Sequence, residues 1–449
     1  MAFAAFAVFG AFWGAWGASI PAIRDQAGVT EGQLGVALLF VGAGALPAMP
    51  LSGRAVDRWG LPATATLLVL LGGAGLLVAA AARDVVTLAL ALALLGAASG
   101  AADVAINTAA GSAQRASDGP VVTRAHATFS AAVVGASLMA GALLGLGAPI
   151  VIPFLAVAGA AAAVAVALAR AGIDAERRVG PGGATERGGL DRERRDVMGE
   201  ATEGARPDPE RREALVGATE GARLDPERRD ALGAATVRAA AAPRRPARRA
   251  VPLAPLLVLG GLGALAFAVE NAHQSWSALY LADELGAGPA VAAAGPAVFA
   301  AVVAVTRFAS ANLAARRPTA VVGAGSALAA VGTAIVAGAG GVAAGLAGLA
   351  LAAAGVAALF PTLMSVLATT APEERRGAAT SVVTTIAYLG FIAGPVYVGT
   401  WAGVVGLPGA MLAVAGLAAG LALLAGAALR GISPPARSRS GPTRCAAGS

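Results

Sequence analysis

The chain contains no lysine, one cysteine and two histidines. Charged residues make up only 13% of its 449 positions and aromatics 4%. Each shortage excludes something. Cys445 stands alone in a polar tail, so neither a disulfide framework nor a thiolate metal site is available. His126 and His273 are too far apart for a zinc-spaced pair, and there is no phosphate loop and no nucleophile elbow. An enzyme reading therefore finds no support, and neither cofactor nor metal is expected. So little charge on a chain this long cannot supply the polar surface of a soluble globule.

What the chain has instead is apolar length. Hydrophobic residues make up 57% of it. A spanning helix needs about 20 mostly apolar residues. Six such stretches precede a polar tract at 171–251: residues 2–23, 34–53, 62–82, 86–109, 124–148 and 149–170. Six more follow it, at 252–281, 287–313, 319–339, 341–365, 378–402 and 406–430. Glycine, with 61 positions, weakens helices in water, but between membrane helices small residues allow close backbone approach. The expected fold is an all-α membrane protein of twelve transmembrane helices in two pseudo-symmetric six-helix halves. These are residues 1–170 and 252–430, with a tail at 431–449. Residues 1–23 lack a basic leader region and read as the first membrane helix rather than a cleaved signal.

All 33 cations are arginine, giving a net charge of +7. No foldable stretch presents a basic face with interleaved aromatics, so nucleic acid is not an expected partner. The arginines set an orientation instead. With both termini cytoplasmic, only Arg24 and Arg83 fall in outside loops. The others lie in inside loops, helix ends, the insert or the tail, including Arg307, Arg316 and Arg317 at the end of the eighth span.

The insert holds a repeat with a period of 17 residues: 184–198 reads ATERGGLDRERRDVM, 201–215 ATEGARPDPERREAL and 218–232 ATEGARLDPERRDAL. Dense charge, Gly and Pro cannot bury a core, so a disordered cytoplasmic linker is expected. Its arginines would lie against the anionic inner leaflet.

After the second span comes Gly53-Arg54-Ala55-Val56-Asp57-Arg58-Trp59-Gly60. Glycines bound a tight turn there, and a carboxylate and a guanidinium can reach across the seam between halves. The run resembles the G-x-x-x-D-R-x-G signature of the major facilitator superfamily. That resemblance implies a latch on the outward-facing state made by Gly53, Arg54, Asp57, Arg58 and Gly60, with Asp57 near the start of the eleventh helix, around residues 377–381. An anion is favoured at such an N-terminus. The corresponding loop after the eighth helix, residues 309–317, has lost both the acid and the glycines.

Further segments are similar to the fucose-permease-like branch and its uncharacterised bacterial inner-membrane members. Asp103 and Asn107 fall on helix 4, His126 opens helix 5, Glu270 to Trp276 lie on helix 7, and Gly394-Pro395 on helix 11. The resemblance covers all twelve helices but not the insert. It implies a multi-pass carrier in the bacterial plasma membrane, acting as a monomer on a small-molecule solute.

Ionisable groups inside spans are costly, so each is a functional candidate. Asp103 and Asn107 are four apart and share a helix face. Glu270, His273 and Gln274 line one side of helix 7, with Asn271 and Trp276 beside and beyond them. Carboxylates, amides and an aromatic around a midplane cavity suit a small polar or sugar-like solute. An ionised carboxylate is disfavoured in a desolvated cavity, so Asp103 or Glu270 is expected to carry a coupled proton. Glu270 is assigned to solute contact and Asp103 to the proton, while His126 reads as gate packing. An exporter of an amphipathic compound is the competing reading, yet residues 88–95 lack a buried Arg and helix 5 lacks a Gly-Pro pair. A non-transporting sensor on the same scaffold is the third.

Overall fold

The computed structural model describes residues 1–116, 121–171, 253–372 and 376–432, without the side chains of Gly377, Ala378 and Arg430. The repeats of the insert and the tail beyond residue 432 lie outside these residues. Among the described residues there is no strand. Ten helices are long and apolar enough to cross a membrane. They are α1 Ala2–Ala27, α2 Glu31–Ala81, α3 Val85–Arg115, α4 Val121–Gly145 and α5 Val151–Ala171. After the insert come α6 Leu253–Asp283, α7 Pro289–Arg316, α8 Pro318–Ala337, α9 Val342–Thr370 and α10 Arg376–Ile432.

Two of these helices do the work of four. A straight α2 of 51 residues would be ~76 Å long at 1.5 Å per residue, far beyond an apolar slab of about 30 Å. It turns back at Gly60, whose φ of 56° is left-handed backbone that glycine adopts without strain. Both ends of α2 consequently meet the end of α1. Arg24 lies 3.3 Å from Glu31, and Gln26 donates to the Ala79 and Ala82 carbonyls, each at 2.9 Å. In the same way α10 turns at Gly406, with φ 73°, and Tyr397 donates to the Ala413 carbonyl at 3.2 Å. Sixteen residues of continuous helix would set those two ~24 Å apart. The chain thus crosses twelve times, as expected. What differs is the second-to-third connection, where helix runs almost unbroken up to Gly60 in place of an open loop.

Elsewhere ends are set by local chemistry. Thr30 caps α2 in a reciprocal box with Gln33, its hydroxyl accepting from the Gln33 N–H while the Gln33 side chain accepts from the Thr30 N–H. Asp84 caps α3, taking the N–H groups of Val86 and Thr87 at 2.9 and 2.8 Å. These bonds, the Thr87 N–H foremost, hold the exposed Asp84 carboxyl below its ordinary range.

The first five helices form one half and the last five the other. Leu423, Val305 and Leu90 on their outer surfaces are among many exposed large apolar side chains. In water such a surface would aggregate; against lipid tails it is the solvated side.

Among the described residues the halves are tied by side-chain bonds at one face. Arg24 pairs with Asp283, and the Ser137 hydroxyl donates to the Ala293 carbonyl at 3.0 Å. At that end α2 and α10 cross backbone to backbone: a Cβ on Gly35 would lie 2.8 Å from the Gly399 Cα and from the Pro395 carbonyl. At the opposite face, which carries Met1 and Gly60, no side-chain hydrogen bond joins the halves among the described residues.

Candidate functional site

At the seam lies a cavity of about 350 Å³, lined by α1, α2, α3 and α4 from one half and α6, α7 and α10 from the other. Much of its wall is apolar, with Trp13, Phe129 and Tyr388 among the rings. Against that wall stand a few polar groups, the usual composition of a site that both holds and orients a small ligand.

The polar groups concentrate on α6 and α7. Glu270 and Gln274, one helical turn apart, both face the cavity. Arg307 comes from α7 and places Nη2 3.0 Å from Glu270 Oε1, while its Nε donates to the Ala357 carbonyl of α9 at 2.9 Å. Gln274 Nε2 donates to the same Oε1 at 3.2 Å. Two donors thus converge on one carboxylate oxygen. The Arg307 side chain remains 44% exposed, against 12% for Glu270.

Arg307 is the residue that sequence reasoning misplaced. Charge placement puts it with Arg316 and Arg317 at a basic helix end, whereas the structure puts it well inside the span and in the cavity wall. The signal was available: nine residues separate it from Arg316, about 13 Å of helix at 1.5 Å per residue.

Other expected site residues divide. Asp103 lines the cavity from α3, and Asn107 is not in its wall but donates to the Asp103 carbonyl and to Oδ1, at 2.9 and 3.0 Å. Asp103 has no ion pair among the described residues. Asn271 and Ser275 reach the cavity but are occupied, Asn271 donating to the Phe391 carbonyl of α10 and accepting from the Ser275 hydroxyl at 2.9 Å.

His273 and Trp276 are not in the cavity wall, and for these two the expectation of solute contact is corrected. Both are fully buried in the protein core. His273 turns toward α8, with Nδ1 2.8 Å from the Val269 carbonyl and Nε2 3.0 Å from the Thr333 hydroxyl. A carbonyl only accepts, so Nδ1 carries the proton of the neutral ring. Its other face stacks on Phe299 at 5.5 Å and 6°. This is a helix-to-helix tie.

The expected gate residues lie at the open face. His126 packs edge-on to Phe6 at 4.9 Å, within its own half. Arg54, Asp57, Arg58 and Gly60 are exposed and Gly53 half-buried. Asp57 makes no hydrogen bond or ion pair to the described residues of α10, and Arg58 stacks over Trp59 at 5.4 Å. The expected Asp57 contact near residues 377–381 is therefore not made in this arrangement, because the halves are parted there.

The sequence profile of the Major Facilitator Superfamily matches residues 1–351 and 262–445. The chain belongs to that superfamily. Two bacterial relatives share part of it: an uncharacterised MFS-type transporter of Yersinia pestis, 35% identical over 133 residues, and an uncharacterised transporter of Sinorhizobium fredii, 33% identical over 119. Those matches cover 28% and 26% of this chain and only about a third of each relative, 33% and 32%. Among solved structures, the fold is similar to the nucleoside transporter NupG, with a TM-score of 0.65 at 13% identity over 95% of this chain and 98% of that one. It is also similar to a bacterial homolog of the human lysosomal transporter Spinster captured inward-facing, with a TM-score of 0.64 at 14% identity over 96% of both chains. The protein is a multi-pass membrane protein of this superfamily.

Proposed function

We propose that the chain is a secondary carrier for a small polar solute, linked to protons and working by alternating access between two rocking halves. The observation that carries the reading is the cavity at the seam. Both halves contribute to its wall, and Asp103, Glu270, Gln274 and Arg307 are set among apolar residues there. A solute held by both halves is released when they part, which is what a shared site requires.

Arginine placement supports a bacterial inner-membrane orientation with both termini cytoplasmic. On that orientation the sealed Arg24 face is outside, and the present arrangement opens inward. A latch at Asp57 that holds the outward-facing state would be unmade here, in keeping with the exposed Arg54, Asp57 and Arg58. A monomer suffices, since one chain contains the whole cavity.

A second reading has its own observation. The rings of Trp13, Phe129 and Tyr388 in the wall would suit an amphipathic compound, as an exporter takes. A thermal-shift screen of the purified protein against sugars, organic acids and lipophilic cations separates the two. The first reading expects stabilisation by polar solutes; stabilisation by lipophilic cations alone would sink it. Solute uptake into vesicles then separates a carrier from a sensor.

A further inference from the structure

Arg307 has bonding capacity that the protein leaves unused. Its Nε is committed to Ala357 and its Nη2 reaches Glu270, but Nη1 has no partner among the described residues, and the side chain is the most open charged group in the site. Glu270 is complementary. Its Oε1 receives both Arg307 and Gln274, while Oε2 accepts nothing among the described residues. From Arg307 toward the sealed face, Val303, Ala300 and Pro296 follow at helical spacing along the cavity wall. An apolar stripe thus leads away from a guanidinium fork.

We propose that the cavity takes a small solute bearing one carboxylate on an apolar body, and that this anion and a proton bind together, the anion on Arg307 and the proton on Glu270. The inference rests on the carrier reading and names its substrate class. A guanidinium fork matches a carboxylate with two parallel N–H···O bonds. Among the described residues Arg307 is the one cation in the cavity wall, and Asp103 faces the same space. A dianion such as a phosphate ester would lack its second counter-charge there. A cation is less well served, because Glu270 is already met by Arg307 and Asp103 by the Asn107 amide.

The binding step balances in charge. The solute carboxylate accepts from Nη1 and Nη2 of Arg307, and the bond from Nη2 to Glu270 breaks. An ionised carboxylate left without its counter-ion in such a wall is costly, so Glu270 takes up a proton from the bulk solution on Oε2. When the solute leaves, the proton leaves and the ion pair closes again. One anion moves with one proton, so transport is electroneutral. Among the described residues, the other titratable side chains of the cavity wall are Asp103 of α3 and Tyr388 of α10, while His126 of α4 lies outside that wall against Phe6. His273, on the far side of α6, turns away.

The test uses the purified full chain and thermal unfolding with butyrate, phenylacetate and indole-3-acetate, each beside its primary amide, from pH 5.5 to 7.5. Carboxylates should stabilise and amides should not, with apparent affinity rising by up to about tenfold for each pH unit lost. Glu270→Gln should bind the same carboxylates with that slope gone, and Asp103→Asn should keep it. Arg307→Gln should lose the response, with Arg307→Lys in between, each variant checked for a single size-exclusion peak and cooperative unfolding. Equal stabilisation by acids and amides would overturn the inference, as would a response that survives Arg307→Gln or a slope that survives Glu270→Gln. If polyols or lipophilic cations move in vesicles and no carboxylate binds, the carrier stands and the anion assignment fails. If no solute of any class moves, the carrier reading fails and takes the inference with it.

Discussion

Arg24, in the last turn of α1, grips Asp283 at the end of α6 and so fastens one half of the molecule to the other. Both side chains are largely withdrawn from solvent, at 15% and 27% exposure, and the same guanidinium also reaches Asp25 and Glu31. Partly exposed pairs of this kind contribute about 1 kcal/mol, or roughly fivefold in a conformational equilibrium. Arg24→Gln should therefore shift the population toward opening at this face. Spin labels at positions 29 and 401 should report a longer mean distance in the variant. An unchanged distance would mean that the glycine contact alone keeps the face shut.

The next residue gives this clamp a pH dependence. Glu284 has its carboxyl pushed above the usual range, by burial first and then by Asp283 and by Glu31 of the opposite half. Ionised Glu284 repels Glu31 across the seam, and a proton removes that repulsion. As pH falls through the raised range of Glu284, closure should strengthen; as pH rises again it should loosen. Glu284→Gln should hold the low-pH distance throughout. A wild-type distance that is flat between about pH 7 and about pH 5 would remove Glu284 from the clamp.

Backbone contact should matter more than charge here. With Gly399 Cα and the Pro395 carbonyl 2.8 Å from any Cβ at Gly35, a valine there cannot be accommodated while α2 and α10 cross as they do. Gly35→Val should insert and purify normally, since parting the halves relieves the clash. Solute exchange should be nearly lost, and the spin-label distance should exceed that of Arg24→Gln. Wild-type exchange by this variant would show that the crossing is not part of the cycle.

The twelve crossings were legible because lipid imposes a length and a composition on each. Gly60 and Gly406 were legible as boundaries of apolar runs. What resisted reading was rotation. Glu270, His273 and Gln274 share one broad face by spacing, but only the neighbour decides which edge meets the cavity; Thr333 on α8 claims His273. Arg307 was lost for a related reason. Charge counting assigns an arginine to the nearest loop, and nothing in the local sequence of α7 announces that its partner is an acid on α6, 37 residues earlier.

That division predicts separable variants. His273→Ala removes the tie to the Thr333 hydroxyl, which keeps only the Ala329 carbonyl, and the stack on Phe299, a loss of about 1–3 kcal/mol. Unfolding temperature should fall while solute affinity, measured on the surviving folded protein, stays close to wild type. Gln274→Ala should do the reverse. A binding defect in His273→Ala at unchanged stability would return His273 to the solute site.

The insert offers a negative control. Residues 184–232 lie outside the described residues, and the described helices bury their apolar faces against one another. Their deletion should leave membrane insertion and the uptake rate near wild type. Loss of assembly in the deletion would make the repeats structural.

Proton coupling provides the last prediction, and the two cavity acids must be separated by transport rather than by binding. Asp103 and Glu270 lie on different halves, so each changes its distance from the other as the halves rock. Neutral substitution keeps size and hydrogen bonding while abolishing titration: Asp103→Asn and Glu270→Gln. A carrier whose coupling acid is removed can still exchange solute for solute, because that cycle carries the proton site around unchanged. It cannot accumulate solute against a gradient, because no proton is released. In vesicles with an imposed inward proton gradient, wild type should accumulate solute. Glu270→Gln should exchange labelled for unlabelled solute yet fail to accumulate it, whereas Asp103→Asn should retain accumulation. The opposite pattern would move the proton to Asp103. If wild type equilibrates solute without accumulating it, the protein is a uniporter or is driven by another ion, and the bond from Arg307 to Glu270 serves solute binding alone.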